Sequence, residues 1–402
     1  MNTTFTAISE LTPEAPVTGA ATRRRPRVCF VAPTTWPLLA GCSSIPVIGG
    51  AELQQTIVAT ELARRGYDVS MISMDFGQAD GCYEKGIRIH NMHAPDAGIP
   101  VVRFLHPRLT SLWQALKRAD ADIYYQRTAA AHTGFVAAYC RMNGRRSIHS
   151  GASDVDFIPG RQDIVFARDR KIYEWGLRNV DAVFAQNPGQ QENVRRHYGR
   201  EAQLVPNCYD APAGARADPR GYVLWIATMR ASKRPEILVE MARRLPGHRF
   251  LIVGGNDPDP KSVAYAEGVR AAAAELPNVE VRAFVPFAEA DRLFDGARVL
   301  VNTSQYEGFP NTFLQAWSRG VPTVAFVDTG SRQGAEPVYE VAADTDGMCA
   351  AVNRLMSDDD HWARASRRVA THFAERHSLA AVVGVYEREF ERLAAGAGLT
   401  PA

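Results

Sequence analysis

Short apolar runs alternate with longer polar-faced segments along most of the chain. The run Arg27–Pro33 is too short for a helix and apolar enough to predict a buried strand, and Tyr67–Ser73, Ile87–Met92, Asp122–Gln126, Arg146–Ser150, Asp181–Ala185 and Gln203–Pro206 read as further short strands. Between them, Leu53–Arg65, Ser111–Arg118, Ala129–Arg141 and Pro188–Tyr198 keep helical spacing. The alternation pauses over 207–220, rich in Pro, Ala and Gly, and restarts. Strands are predicted at Gly221–Ala227, His248–Gly255, Asn278–Phe284, Arg298–Asn302 and Val321–Val327. Helices are predicted at Glu236–Leu245, Ser262–Leu276, Ala288–Phe294, from Asn311 onward, and at Thr345–Met356, Asp359–Phe373 and Leu379–Leu393. Strand–helix alternation of this kind builds parallel sheets covered by helices. The fold class is therefore α/β with two Rossmann-like units.

The organisation follows: a disordered leader over 1–26, a first domain over 27–206, a linker over 207–220, a second domain over 221–375 and a terminal helical segment over 376–402. A chain of 402 residues is long enough for two cores. The leader is polar, with Pro13, Pro16 and Arg23-Arg24-Arg25 but no hydrophobic signal-peptide core, and no run of 18 apolar residues follows it, so a cytoplasmic location is expected. The six cysteines are scattered without C-x-x-C pairs, which argues against a disulfide framework or a zinc site. Net charge is +2, divided as +5 over 1–205 and −3 over 206–402. That bias is too weak and too dispersed for nucleic acid and is compatible with a modest peripheral attraction to an anionic membrane. Oligomeric state is left open.

Four loops at predicted carboxyl ends of strands carry the candidate chemistry, where open α/β sheets bind ligands. In the stretch Ser304 to Gly320 a buried strand gives way to a Gly308/Pro310 turn and a helix opening at Asn311. The unpaired N–H groups of Asn311, Thr312 and Phe313 offer an anion cradle beside the Glu307 carboxylate, which suits hydroxyls attached to the anion. Arg230 and Lys233 lie in a basic loop after the strand Gly221–Ala227, placed to meet a diphosphate. Gly49-Gly50 enters the first domain's first helix after a long loop. A further polar loop follows Arg146–Ser150, with His149, Asp154 and Asp156 as candidates on its side of the cleft. No G-x-G-x-x-G occurs, so a dinucleotide dehydrogenase is not supported.

The Glu307–Gln315 segment resembles the Glu-x7-Glu motif of family 4 glycosyltransferases, retaining enzymes with the GT-B architecture. The resemblance extends to Gly49-Gly50, Lys233-Arg-Pro-Glu236, Gly254-Gly255, Phe284-x-Pro286 and Gly320-Val-Pro322. It implies two Rossmann-like domains facing a central cleft, with the terminal helix crossing back to the first. It also implies transfer of a sugar from a nucleotide diphosphate sugar to a hydroxyl acceptor (a glycan, a lipid-linked sugar or a natural product) with no bound metal or cofactor. Glu307, Arg230 and Lys233 would be catalytic. Gly49, Gly50, Gly255, Pro286, Gly308, Phe309, Asn311, Thr312, Phe313 and Gln315 would contact the donor, and His149, Asp154 or Asp156 the sugar or acceptor. The chain departs from the motif at its second acid, where Gln315 stands. That departure keeps an alternative open, a non-catalytic glycosyltransferase-like partner subunit or a nucleotide-sugar-binding protein.

Overall fold

The computed structural model describes residues 24–42, 49–99, 102–212, 214, 217–218, 220–256 and 259–396. Most of the leader lies outside the described residues. Its last residues do not: Arg24 reaches Asp122 and Arg25 stacks on the Tyr67 ring, so ordered packing begins before the predicted first strand.

Eight strands form the first sheet: β1 (Val28–Val31), β2 (Val69–Ser73), β3 (Tyr83–Glu84), β4 (Ile87–Asn91), β5 (Ile123–Arg127), β6 (Arg146–Ser150), β7 (Ala182–Ala185) and β8 (Gln203–Leu204). Their order is β3-β4-β2-β1-β5-β6-β7-β8, and every pair is parallel except β3/β4. Strand alternation divides the apolar runs between two faces. Val28 and Phe30 meet Val58 and Leu62 of the helix Gly50–Arg64. Cys29 and Val31 meet Leu112, Leu116 and Tyr139 on the other side.

The second sheet contains β9 (Tyr222–Ile226), β10 (Phe250–Val253), β11 (Val279–Arg282), β12 (Ala297–Asn302) and β13 (Thr323–Ala325). A small hairpin, β14 (Arg332–Gln333) with β15 (Glu336–Pro337), precedes the edge strand β16 (Glu340–Val341). The order β11-β10-β9-β12-β13-β16 is parallel throughout. The order in which strands are added reverses at β9, outward through β10 and β11 and then to β12 on its other side, so the crevice at this switch point opens between the ends of β9 and β12.

The terminal helix Leu379–Gly396 returns to the first sheet, as expected. Its Val382, Val383, Tyr386 and Phe390 are buried against Phe30, Tyr125 and Phe184, each large side chain contributing roughly 1.5–3 kcal/mol by its burial. Arg65 and Glu387 close the contact with an ion pair at 2.7 Å.

One feature differs from expectation. A helix at Ala167–Asn179, absent from the reading of the hydrophobic pattern, packs tightly on Ala131–Asn143. The approach requires glycine on both sides: a Cβ at Gly134 would lie 2.4 Å from the Ile172 carbonyl oxygen, and one at Gly176 would lie 2.5 Å from the Gly134 nitrogen. Asn207–Tyr209, at the start of the segment read as a linker, is buried, and Gln54 pairs with both the N–H and C=O of Cys208 at 3.0 and 2.7 Å.

Candidate functional site

The basic loop and the acidic loop meet at the β9/β12 switch point. Lys233 ends a short helical turn after β9 and Glu307 lies in the loop after β12. The Lys233 ammonium donates to Glu307 Oε1 at 2.5 Å, and the same oxygen accepts from Ser304 Oγ at 2.6 Å and Asn302 Nδ2 at 3.3 Å. All three described bonds thus fall on one oxygen of a largely buried carboxylate. Thr303 and Arg234 fasten the two loops to each other: Thr303 Oγ1 donates to the Lys233 carbonyl, and Arg234 Nε donates to the Thr303 carbonyl. Arg230 caps the turn at the exposed rim.

The helix after the acidic loop runs from Asn311 to Trp317, with Pro310 before it. Its cradle is narrower than the spacing predicts, because the Phe313 N–H already donates to the Pro310 carbonyl at 3.1 Å. The Asn311 and Thr312 N–H groups remain at the helix mouth. Phe309 and Phe313 do not present side chains to the cleft. Both are buried in an aromatic cluster with Trp317, Tyr339 and His377 that anchors this helix to the second domain.

Gln315 sits one turn inside that helix, and its amide is committed. Its Nε2 donates to Asp291 Oδ1 at 3.0 Å. Tyr209 donates to the same Asp291 oxygen at 2.5 Å, and Arg319 Nη2 donates to Oδ2 at 2.8 Å while its Nε pairs with Asp295. A carboxylate at 315 would face the Asp291 carboxylate directly, which supplies a physical reason for an amide here. Sequence reading missed Asp291 altogether, since it is one ordinary acid on the helix Phe287–Arg292. Pro286 caps that helix, and Gly255, just beyond β10, packs on Phe284, whose Cβ would be 3.2 Å from an added Cβ.

From the first domain, Gly49 caps the helix Gly50–Arg64. The Glu52 carboxylate folds back over it, 2.1 Å from where a Cβ at Gly49 would be, and accepts from Thr34 Oγ1 at 2.6 Å. Gly50 abuts the second domain: Asn311 Nδ2 donates to its carbonyl at 2.9 Å. Asn311 Oδ1 in turn accepts from Gln54 at 3.0 Å and Asn207 at 3.3 Å. Gly308 also closes on the first domain, since a Cβ there would be 2.5 Å from the Ala152 carbonyl oxygen.

The three candidates on the polar loop separate. His149 is fully buried, with Nδ1 on Gln126 at 2.7 Å and Nε2 on Tyr173 at 3.2 Å, and burial lowers its pKa to about 3. It is a neutral core residue. Asp156 is buried too, accepting the Ala152 and Ser153 N–H groups at 2.7 and 3.1 Å, and burial raises its carboxyl to about 6 against the lowering effect of those bonds. It shapes the loop rather than facing a ligand. Only Asp154 remains at the cleft. It accepts from Asn187 at 3.0 Å and Gln190 at 2.9 Å, and its carboxyl is raised first by burial and also by the nearby Glu307 charge. Arg127 is a further buried group near this wall that sequence reading missed. Its Nη2 donates to Asn207 at 2.7 Å. Among the described residues, no group of three or more His, Cys, Asp or Glu is placed to hold a metal ion.

Comparison with known proteins agrees with this layout. Residues 48–211 match the model of the family described as Glycosyltransferase Family 4, and residues 220–358 match that described as Glycosyl transferases group 1. A D-inositol 3-phosphate glycosyltransferase of Mycobacterium marinum is 26% identical over 186 residues, covering 43% of this chain and 40% of that protein. The match thus spans less than half of the curated relative. Among solved structures, a sucrose-phosphate synthase from Thermosynechococcus elongatus superposes with a TM-score of 0.75 at 19% identity, covering 92% of this chain and 100% of that one. Anabaena HepE in complex with UDP and glucose gives 0.70 at 16% identity, covering 91% and 99%. With two parallel sheets, a cleft lined from both halves and both family matches in chain order, the chain belongs to the family 4 glycosyltransferases of GT-B architecture.

Proposed function

We propose that the protein transfers a sugar from a nucleotide diphosphate sugar to a hydroxyl acceptor, with retention of anomeric configuration and without a metal ion. The observation that carries this reading is the Lys233–Glu307 contact, which brings a cation and a carboxylate from separate strand ends together beside the Asn311 helix mouth. HepE, solved with UDP and glucose, supports the donor class, and the mycobacterial relative, named for D-inositol 3-phosphate, supports a hydroxyl acceptor.

In this mechanism the C1–O bond to the diphosphate breaks as the acceptor oxygen bonds C1 on the same face, and the departing phosphate takes the acceptor proton. Charge accumulates on the leaving diphosphate, so fixed positive groups there lower the barrier most. Arg230, Lys233 and the Asn311 and Thr312 N–H groups would supply them. Lys233 would exchange its internal carboxylate for phosphate oxygens, freeing Glu307 to accept sugar hydroxyls. Asp154 would hold the opposite side.

Calorimetric titration with UDP and ADP, followed by NMR of the product anomer in excess chelator, tests the reading. Lys233→Ala and Arg230→Ala should each weaken nucleotide binding, by about tenfold for one charge-assisted bond. Unchanged affinity in both variants would reject the site. Tight nucleotide binding with no transfer to any acceptor would instead favour the partner-subunit reading that Gln315 keeps open.

A further inference from the structure

Three arginines are buried among the described residues, and two of them are neutralised inside the protein. Arg298 pairs with Asp359 at 2.7 Å, and Arg319 pairs with Asp291 and Asp295 at 2.8 and 2.6 Å. Arg127, 5% exposed, has no carboxylate partner among the described residues. Its Nη2 donates to the Asn207 amide oxygen at 2.7 Å, its Nη1 makes only a long contact of 3.5 Å with Ser150 Oγ, and its buried Nε has no acceptor. A guanidinium does not deprotonate, so a full charge is held out of water by two neutral oxygens. Asp156 feels that charge, but its carboxylate accepts from the Ala152 and Ser153 N–H groups instead. An unpaired buried charge is costly to the fold, and the cost falls when an opposite charge arrives.

The place of Arg127 in the fold points to the source of that opposite charge. Arg127 ends β5, and β1 has β2 on one side and β5 on the other, so β5 stands at the first sheet's own switch point, where open α/β sheets take ligands. Alternation along β5 puts Arg127 on the side of Ile123 and Tyr125, toward the helix Gly50–Arg64 and the terminal helix. From there the contacts cross to the second domain. Asn207, whose oxygen Arg127 holds, donates through Nδ2 to the Phe309 carbonyl at 3.1 Å and to Asn311 Oδ1 at 3.3 Å, and Asn311 donates to the Gly50 carbonyl at 2.9 Å. One amide side chain therefore separates the unneutralised guanidinium from the loop after β12, and a second leads on to the Gly49-Gly50 helix entry.

Given the donor class proposed above, on which the assignment rests, we infer that Arg127 is the buried counter-charge for the donor diphosphate, acting from the first domain through Asn207. It is a positioning residue and does not touch the donor. Its bond fixes the Asn207 amide with Nδ2 turned to the second domain, and its field, little screened at such a depth, favours negative charge at the junction. The diphosphate then supplies the charge that the protein withholds from this arginine, while Arg298 and Arg319 have theirs from the fold. A diphosphate gains more from that field than a monophosphate, and an uncharged nucleoside gains nothing.

Calorimetric titration of the full chain with UDP, UMP and uridine, and with ADP, AMP and adenosine, tests this, with thermal melts of the same samples. Arg127→Gln should weaken diphosphate binding by about tenfold and monophosphate binding by less, leave nucleoside binding unchanged, and melt no lower than the parent in the absence of nucleotide. Arg127→Lys, which keeps the charge, should retain most of the preference for the diphosphate. Asn207→Asp gives the guanidinium an internal carboxylate and should show the same selective loss, so the test stands even where Arg127→Gln folds poorly. A parent that prefers the diphosphate, with Arg127→Gln and Asn207→Asp variants that keep the preference, would overturn the inference. So would a loss shared equally by diphosphate, monophosphate and nucleoside together with a lower melting temperature, which would make Arg127 a residue of the fold alone. A parent that binds neither diphosphate would reject the donor class itself, and this role of Arg127 with it.

Discussion

Replacing Gln315 by the acid that the family motif carries should destabilise this protein rather than restore a missing function. In Gln315→Glu the Nε2–H donor to Asp291 becomes an oxygen about 3.0 Å from another carboxylate oxygen. The lost bond to a charged acceptor is worth roughly 1.5–3 kcal/mol. Two like charges at that separation repel by about 5 kcal/mol at an effective dielectric constant near 20. The Arg319 guanidinium, 2.8 Å from Asp291 and itself buried, offsets part of this, so a net loss of about 3–5 kcal/mol is expected at neutral pH. Against a typical total of roughly 5–15 kcal/mol, urea denaturation should resolve it easily.

The pH dependence gives the test its sign. The new carboxyl is raised in the folded state, so the folded protein holds its proton more tightly than the unfolded chain does. Its stabilising share is full below the unfolded value of roughly 4.3 and is lost as pH rises through the folded value. The deficit relative to the parent should therefore be largest above about pH 7 and shrink toward pH 5. Adding Asp291→Asn should recover much of it by restoring one amide against one carboxylate, a coupling a double-mutant cycle measures directly. A Gln315→Glu protein as stable as the parent at pH 7.5, with unchanged nucleotide affinity, would refute the claim that Asp291 dictates the amide.

Gly134→Ala should lower the unfolding free energy by about 1–3 kcal/mol or more, because its Cβ would meet the Ile172 backbone rather than a yielding side chain; a denaturant melt checks this. Gly308→Ala should leave the second domain folded but separate the cleft walls at Ala152, lowering kcat/KM for transfer by about tenfold or more. A fully active variant would show that this contact is dispensable. Asp156, raised to about 6, should stabilise the fold below about pH 4 and lose that share as pH rises through 6, a slope in the urea midpoint that Asp156→Asn removes. His149, lowered to about 3 and neutral above that, should contribute no limb to a pH–rate profile between 5 and 9.

The two sheets were legible because doubly buried strands write themselves as unbroken apolar runs such as Val28–Val31 and Val299–Val301, whereas the return of the terminal helix came from the family resemblance. Lys233 and Glu307 were legible as charges at strand ends. The helix Ala167–Asn179 was not, since only Tyr173, Gly176 and Leu177 turn inward and two of its contacts are made by glycine, which has no hydropathy to read. His149 and Asp156 were misplaced for the opposite reason. Polar residues ending a strand suggest a ligand loop, but Gln126, Tyr173 and the Ser153 turn satisfy them internally. The Asp291–Gln315 pair, 24 residues apart, required the fold.

Neutral amides join the halves at the point where charge would be expected. Gly50 and Asn311 bring two helix N-termini together, both carrying partial positive charge, which by itself disfavours their approach. The Glu52 carboxylate lies over one of them and the Asn311 amide bridges to the other, while Gln54 and Asn207 complete the junction. A diphosphate is a stronger partner for both helix ends than an amide oxygen and would compete with Glu52 for the first. A donor bound there would replace internal contacts instead of adding to bare groups, so its affinity would measure a difference between two satisfied states. Asn207 extends the same network to Arg127 and His377, so rearrangement at the junction reaches the chain segment connecting the two sheets without passing through either hydrophobic core.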